Sequence, residues 1–436
     1  MQVERASDEW SFYFFVIWQM FYRFGWALMW LTFKIFFRRI DVVGLDKLQK
    51  ANPSILIANH PASFLDAMVL AVFLRRSLYF YVRGDIFSHP LAYRVLTMLH
   101  MIPIYSREHG TENLERNKRT FDRGRKLLSQ GKLLLIFPEG FSRQSKQLET
   151  FKKGAARVAL QTAFDDGFSG ELYIQSVAIN YSSHSRGANL FIRVGENMAM
   201  SSFREIYQAF PAQAINQLNA AMQQLFVRNV IHVAKSEHTP HAEFLMNMLY
   251  HLPGFEPGNF FSSSRLICES LSSMDEITYK EQQDLLANYR FRLMKYPLND
   301  QSLSQTELSL NETIKLILLF PVFIAGFLIG ALPLWASRRI ADKTVTRIDF
   351  FTSVHSGVLG FAGLIWWALI SVIACFAGGV IWIVPFLFTP VYWLGAWRWW
   401  QIWEKLSAKR KFNYYNNLDP QFVRGLLQVR QKLIPQ

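Results

Sequence analysis

The sequence predicts an α/β domain set between membrane-associated helices, and three observations predict it. Between Ile40 and about Val194, short apolar runs alternate with amphipathic stretches at helical spacing, the pattern of a sheet covered by helices. Near the C-terminus, Leu316–Ser337 and Phe350–Trp397 carry no charge unless His355 is protonated. Aromatic residues make up 15% of the 436-residue chain, with 13 Trp and 38 Phe gathered towards the two ends. A chain of this length holds two or three units. Its formal charge of +14 suits nucleic acid or an anionic membrane surface. The charge accompanies apolar segments, and zinc-finger, basic-zipper and RNP-like patterns are missing, so nucleic acid is excluded as the expected partner and membrane lipids are preferred. Cys268 and Cys375 are the only cysteines, so neither a disulfide framework nor a cysteine metal site is expected.

The first element runs from Trp10 to Phe37. Gln19, Arg23, Trp30, Lys34 and Arg38 fall on one stripe of a helix, with aromatic and aliphatic residues around the rest. A cationic stripe with aromatic shoulders predicts an amphipathic helix lying in the membrane interface over residues 1–39, because a spanning helix would carry Arg23 near mid-bilayer at a cost of about 3 kcal/mol. Strands are predicted at Ile55–Ala58, Leu78–Arg83, Leu133–Phe137, Leu172–Ile179 and Asn189–Val194, and helices at Asn113–Gln130 and Lys152–Phe164. The strand at Ile55 stops at Asn59, since Pro61 donates no amide to a ladder. Ser63 is the predicted N-cap of a helix reaching Phe73, which puts His60 in the loop and Asp66 in the first turn. Two readings of that pair stand side by side: a carboxylate fixing the tautomer of a basic histidine, or a capped loop whose aspartate favours the helix dipole.

Residues 203–311 are predicted to form a helical accessory layer, with amphipathic runs at Ile206–Ala234, Ala242–Leu252 and Met274–Lys295. His232, His238 and His241 lack carboxylates or cysteines at ligand spacing, so they are read as surface histidines and no metal is expected. Asp300–Asn311 reads as a polar hinge. In the membrane segments, 312–400, the run Phe350–Trp397 would extend about 72 Å as one helix against a hydrocarbon core of about 30 Å. A hairpin turning near Gly378-Gly379 is therefore predicted. Arg338, Arg339, Lys343 and Arg347 before it, and Arg398, Lys405, Lys409, Arg410 and Lys411 after it, place both its ends in the cytoplasm. Leu316–Ser337, interrupted by Pro321, Gly326, Gly330 and Pro333, is then expected to dip into the cytoplasmic leaflet and return, and residues 401–436 to form a basic cytoplasmic tail.

Asn59-His60 followed by Asp66, together with Phe137-Pro138-Glu139-Gly140, resembles the first and third motifs of the PlsC-like glycerolipid acyltransferases, which act on glycerol-3-phosphate or 1-acylglycerol-3-phosphate. Five residues separate His60 from Asp66 where most members have four; a subset that includes fungal glycerol-3-phosphate acyltransferases has this longer spacing. Met101–Arg107 resembles the second motif and Ile174–Tyr181 the fourth, with Ser176 in place of its proline, and Leu148–Arg157 resembles a stretch that follows the third motif in the same subset. The resemblance implies a mixed-sheet acyltransferase domain over 40–202. In it, His60 accepts the proton of an acceptor hydroxyl, Asp66 steadies the imidazolium, and Arg107, Glu139, the Gly140 amide and Arg143 hold the acceptor's polar head. The strand around Ser176 would line the acyl groove. It further implies acyl-CoA or acyl carrier protein as donor substrate, a glycerol phosphate or lysophospholipid as acceptor, no cofactor, and a catalytic domain facing the cytoplasm. An acyl-enzyme is not expected, since there is no Gly-x-Ser-x-Gly elbow. Lysophospholipid or aminolipid remodelling, and a catalytically silent lipid-binding scaffold, are the alternatives.

Overall fold

The computed structural model describes residues 2–434 apart from 75, 106–110, 169, 253–254, 305–308 and 380–386. The chain opens with α1 (Gln2–Phe36) and enters the sheet through β1 (Arg39–Val43). There follow β2 (Ser54–Ile57), α2 (Phe64–Phe73), β3 (Leu78–Arg83), α3 (Pro90–Met98) and β4 (Met101–Ile104). After these come α4 (Thr111–Ser129), β5 (Leu133–Ile136), α5 (Gly154–Asp165), β6 (Tyr173–Tyr181) and β7 (Asn189–Ala199). The seven strands lie in the order β1-β7-β6-β2-β5-β3-β4, and every neighbouring pair is parallel except β6 and β7. The expected mixed sheet is therefore present.

Both faces of the sheet are covered, which is why β5 is apolar at every position and β2 at all but Ser54. Leu56 of β2 joins the core built by Phe33 and Phe36 of α1 and Leu65 and Val69 of α2. Ile55 and Ile57 point the other way, against Ala155 and Ala159 of α5. The reading of the sequence missed the two edge strands. β1 carries Arg39 and Asp41, and β4 contains Pro103, whose missing amide an edge position tolerates.

Two domain boundaries differ from those expected. The C-terminal half of α1 is a wall of the α/β core, with Met29, Phe33 and Phe36 buried, while Trp18 Nε1 donates to the Met98 carbonyl at 2.6 Å and Trp26 Nε1 to that of Val72 at 3.0 Å. Arg23 is exposed as the interfacial reading requires, but Lys34 lies over the rings of Trp30 and Phe73. At the other boundary, α6 (Arg204–Ala209) and α7 (Pro211–Val227) pack on the sheet, where Leu218, Met222 and Phe226 complete the second core. The helical layer proper consists of α8 (Thr239–Leu249), α9 (Phe260–Ser273) and α10 (Glu276–Lys295), joined by the last helix of the chain.

The expected hinge begins with an anchor. Asp300 accepts from Tyr289 Oη at 2.7 Å and pairs with His251 at 2.9 Å and with buried Arg430 at 2.8 Å. Burial opposes its charge, yet these partners hold the carboxyl down at about 2. Residues 401–436 are thus no loose tail: Leu426 and Leu433 are buried in the helical layer's core. His238 and His241, expected at the surface, are buried against Tyr279.

The apolar region comprises α11 (Leu310–Leu318), α12 (Phe320–Thr344), α13 (Ile348–Gly378) and α14 (Thr389–Leu418), after which α15 (Pro420–Leu433) returns to the helical layer. α12 and α13 are long and apolar enough to cross a bilayer. Beyond its first three turns α13 is apolar and outward-facing, with Ile365 69% and Phe376 89% exposed, a surface suited to lipid. It ends at Gly378, and Gly379 adopts a left-handed φ of +80°, where the fold-back was expected. α12 corrects the dip-and-return expectation. It is one helix that runs through Pro333, packing at its start on Trp399 of α14 and near its end, through Arg338, on Phe351 of α13. The two helices it packs on reach the α/β domain: Trp397 Nε1 of α14 donates to the Phe37 carbonyl at 3.2 Å, and Ser353 of α13 donates to the Ala62 carbonyl.

Candidate active site

β2 and β5 are adjacent and parallel, so the loops leaving their C-terminal ends emerge side by side, the usual location of ligand sites in such sheets. The first loop turns sharply after Asn59, whose amide is fixed on both sides: Nδ2 donates to the Ile179 carbonyl and Oδ1 accepts from the Ile179 amide, both at 2.8 Å. His60 stacks on Phe137 with ring centroids 3.9 Å apart, and its Nδ1 lies 2.9 Å from Asp66 Oδ2. The same carboxylate oxygen accepts the Ala62 amide at 2.8 Å, and Oδ1 accepts the Tyr181 hydroxyl at 2.9 Å. Asp66 is completely buried. Burial pushes its carboxyl upward, while the His60, Ala62 and Tyr181 donors favour the anion. With Nδ1 occupied by Asp66, Nε2 is the nitrogen left to act as base. The one-residue insertion between His60 and Asp66 therefore leaves the pair in hydrogen-bonding contact.

Ser63 precedes the helix as expected but does not cap it with its side chain. Its φ of +53° turns its backbone so that its amide donates to Ser142 Oγ at 2.8 Å, which ties the first loop to the second. A second tie runs from the Arg143 amide to the His60 carbonyl at 3.2 Å.

The second loop supplies Glu139, which lines with His60 a small, open polar cleft. Burial first, then the nearby Asp66 and Glu149 carboxylates, push Glu139 up to about 8, so at neutral pH it is a carboxylic acid able to donate. Gly140 has φ of +75°, a backbone conformation that strains any residue with a Cβ and so favours glycine. Its amide donates to the Phe137 carbonyl at 3.1 Å and closes the turn, which removes it as a donor to the acceptor's head. Arg143 reaches the cleft but pairs with Glu149 at 2.6 Å. Arg107 lies outside the described residues. Among those described, no group of acidic, histidine and cysteine side chains could hold a metal ion.

Three contributors escaped the sequence reading. Tyr181, within the fourth-motif stretch, braces Asp66. Lys146 is buried in the cleft wall, its Nζ 2.6 Å from the Tyr181 carbonyl and 3.7 Å from Glu243. Ser353, in the first turns of α13, donates to the Ala62 carbonyl and accepts the Leu65 amide at 3.1 Å. Its neighbours do likewise: Asp349 accepts the Gln144 amide at 2.7 Å and Thr352 donates to the His184 carbonyl at 2.6 Å. Nothing in the motifs points to these residues. Ser176, expected beside an acyl groove, instead sits buried at an irregularity between β6 and β7, where Asn229 Nδ2 donates to it at 2.9 Å.

Residues 39–180 match the family model described as Acyltransferase. This stretch is an acyltransferase-family domain. The chain is 31% identical over 138 residues to the chloroplastic 1-acyl-sn-glycerol-3-phosphate acyltransferase LPAT1 of Arabidopsis thaliana, covering 31% of this chain and 37% of that protein. It is 30% identical over 138 residues to the chloroplastic 1-acyl-sn-glycerol-3-phosphate acyltransferase BAT2 of Brassica napus, covering 31% and 38%. The chain thus spans a little over a third of the length of these relatives. Among solved structures, the 1-acyl-sn-glycerophosphate (LPA) acyltransferase PlsC of Thermotoga maritima aligns over 47% of this chain and 80% of that one, at 17% identity and a TM-score of 0.33. The matched stretch holds His60, Asp66, Glu139, Gly140, Ser142, Arg143 and Lys146, whereas Tyr181 follows it immediately and Ser353 lies far beyond it in α13.

Proposed function

We propose that this protein is a membrane-bound glycerolipid O-acyltransferase that moves a fatty acyl group from a thioester donor, acyl-CoA or acyl carrier protein, to the free hydroxyl of 1-acylglycerol-3-phosphate. The observation that carries the reading is the His60–Asp66 contact at 2.9 Å, opening on a cleft that also holds a neutral Glu139, within an acyltransferase-family domain. The acceptor hydroxyl gives its proton to His60 Nε2 as its oxygen attacks the thioester carbonyl, and Asp66 stabilises the imidazolium that forms. Collapse of the tetrahedral intermediate expels the thiolate, which takes the proton back from His60. No acyl-enzyme intervenes in this scheme. Glu139, as a carboxylic acid, donates a hydrogen bond to an oxygen of the acceptor without adding negative charge beside its phosphate. Arg143 and, from outside the described residues, Arg107 are the proposed phosphate contacts.

The names of the plant relatives favour 1-acylglycerol-3-phosphate over glycerol-3-phosphate as the acceptor. The exposed apolar face of α13 supports a membrane location, and the basic residues flanking the apolar region support a catalytic domain on the cytoplasmic side. Isolated membranes containing the full chain or its His60→Ala variant, given labelled acyl-CoA or acyl carrier protein, test the reading with 1-acylglycerol-3-phosphate, glycerol-3-phosphate and lysophosphatidylcholine in parallel. The expected result is acylation of 1-acylglycerol-3-phosphate that falls at least about a hundredfold in His60→Ala at equal protein level. Absence of transfer to all three acceptors with both donors would overturn it.

A further inference from the structure

A second cavity lies where four helices meet beside the α/β domain. It is partly open and is lined by apolar side chains from each helix, among them Leu31 of α1, Phe327 of α12, Leu359 of α13 and Trp397 of α14. It shares no lining residue with the cleft that holds His60. Glycines let the helices close around it: a Cβ on Gly330 would come within 2.8 Å of the Trp393 indole nitrogen, and one on Gly360 within 2.8 Å of the Thr32 hydroxyl.

One charged residue lines this cavity, Arg186 from the turn between β6 and β7. Its guanidinium lies 4.6 Å from the centre of the Trp397 ring, and its buried Nε has no hydrogen-bond partner among the described residues. Glu404 is the nearby carboxylate, but it is engaged by Arg38 and by Trp400 Nε1 at 2.9 Å. On its far side Arg186 also borders a wide polar groove, together with Arg38, Lys405 and Lys409. An apolar chamber, a cation with an unused donor at its mouth, and a basic groove beyond form the outline of an anionic amphiphile.

We infer that this cavity is a binding site for an anionic phospholipid, separate from the reaction cleft, with one acyl chain among α1, α12, α13 and α14 and the phosphate on Arg186. The planar guanidinium suits a phosphate oxygen pair, and the indole beneath it fixes its orientation. A bilayer supplies this ligand at high local concentration. Its acyl chain would fill the space that the four helices leave between them, so the lipid joins the membrane helices to the α/β domain.

The test uses the full chain in nanodiscs containing equal amounts of phosphatidylglycerol and phosphatidylcholine, followed by detergent extraction and native mass spectrometry. The expected result is one phosphatidylglycerol retained per chain. Arg186→Gln should weaken its retention about tenfold, Arg186→Lys should weaken it less, and Leu31→Trp, which fills the chamber, should abolish it. Thermal melting in detergent identifies any variant that fails to fold, and the ordering of wild type, Arg186→Lys and Leu31→Trp then still decides the matter. Equal retention of the two lipids, undiminished phosphatidylglycerol in Arg186→Gln, or a free fatty acid in place of phospholipid would overturn the proposal. The readout needs no turnover, so it stands or falls independently of the proposed acyl transfer.

Discussion

Asp66 and Glu139 leave neighbouring parallel strands by neighbouring loops, and both carboxyl groups are buried, yet the two loops surround them in opposite ways. Asp66 has the His60 ring nitrogen, the Ala62 amide and the Tyr181 hydroxyl within 2.9 Å. Glu139 has a backbone hydrogen bond from His60 and the repulsion of Asp66 and Glu149. The donors of the first favour a negative charge against the upward push of burial. The second keeps its proton at neutral pH. Burial raises both carboxyls, and what separates them is that Asp66 has three donors favouring its anion, while Glu139 has one and two carboxylates opposing it.

The largest expected effect comes from removing the charge that the donors around Asp66 favour. Asp66→Asn keeps size and burial but places an amide where His60 needs a carboxylate, favouring the wrong tautomer and leaving the imidazolium unsupported. Acyl transfer should fall by about 10³ to 10⁴, with KM for the acceptor little changed. A loss below about tenfold would mean that the contact is structural.

A smaller effect sharpens the contrast from the other side. Glu139 has its carboxyl raised from the usual 4.5 to about 8, so the folded protein binds a proton there that the unfolded chain has released. Its contribution to stability is fully present below about pH 4.5 and is lost as pH rises towards about 8, by an amount on the order of a few kcal/mol. Glu139→Gln removes that slope. Denaturant titrations between pH 5 and about 9 should show the wild type losing stability relative to Glu139→Gln, and KM for a phosphate-bearing acceptor should rise above about pH 8 in the wild type alone. Parallel profiles for the two proteins would show that Glu139 is ionised throughout.

How far the sequence reveals these environments follows from the distance along the chain that each contact spans. His60 and Asp66 are six residues apart on a strand, turn and helix whose pattern is local, so their meeting was legible before the structure. Glu139 follows its own strand in the same way. Tyr181 lies 115 residues from Asp66 and Ser353 lies 291 from Ala62, and neither hydrophobic periodicity nor turn chemistry encodes such pairings. The Gly140 amide was misjudged for a related reason: a motif names the residue but does not say that its N–H closes the turn. The sheet's centre was legible because burial on both faces makes β5 wholly apolar and β2 apolar from Ile55 to Ile57. Its edges were not, because β1 and β4 carry the charges and the proline that edges tolerate. α12 shows the limit of reading breakers one by one, since Pro333 sits inside a helix held on both sides by α13 and α14.

The smallest effect tests how the apolar helices enter the comparison. Ser353 gives the loop of Asp66 something that of Glu139 lacks: a hydroxyl from α13 that holds the Ala62 carbonyl and the Leu65 amide on either side of the turn. Both groups are buried, so Ser353→Ala leaves each without a partner, at about 1–3 kcal/mol apiece before relaxation. Because Ala62 in turn bonds Asp66, the slack reaches the carboxylate and through it the His60 ring. The expected outcome is a fall in kcat of about tenfold with KM for both substrates nearly unchanged, and recovery in Ser353→Thr, which restores the hydroxyl. A purely structural role predicts something different: a lower melting temperature with kcat per folded molecule intact. If that is what Ser353→Ala gives, α13 attaches the domain to its apolar helices without setting the geometry of its catalytic loop.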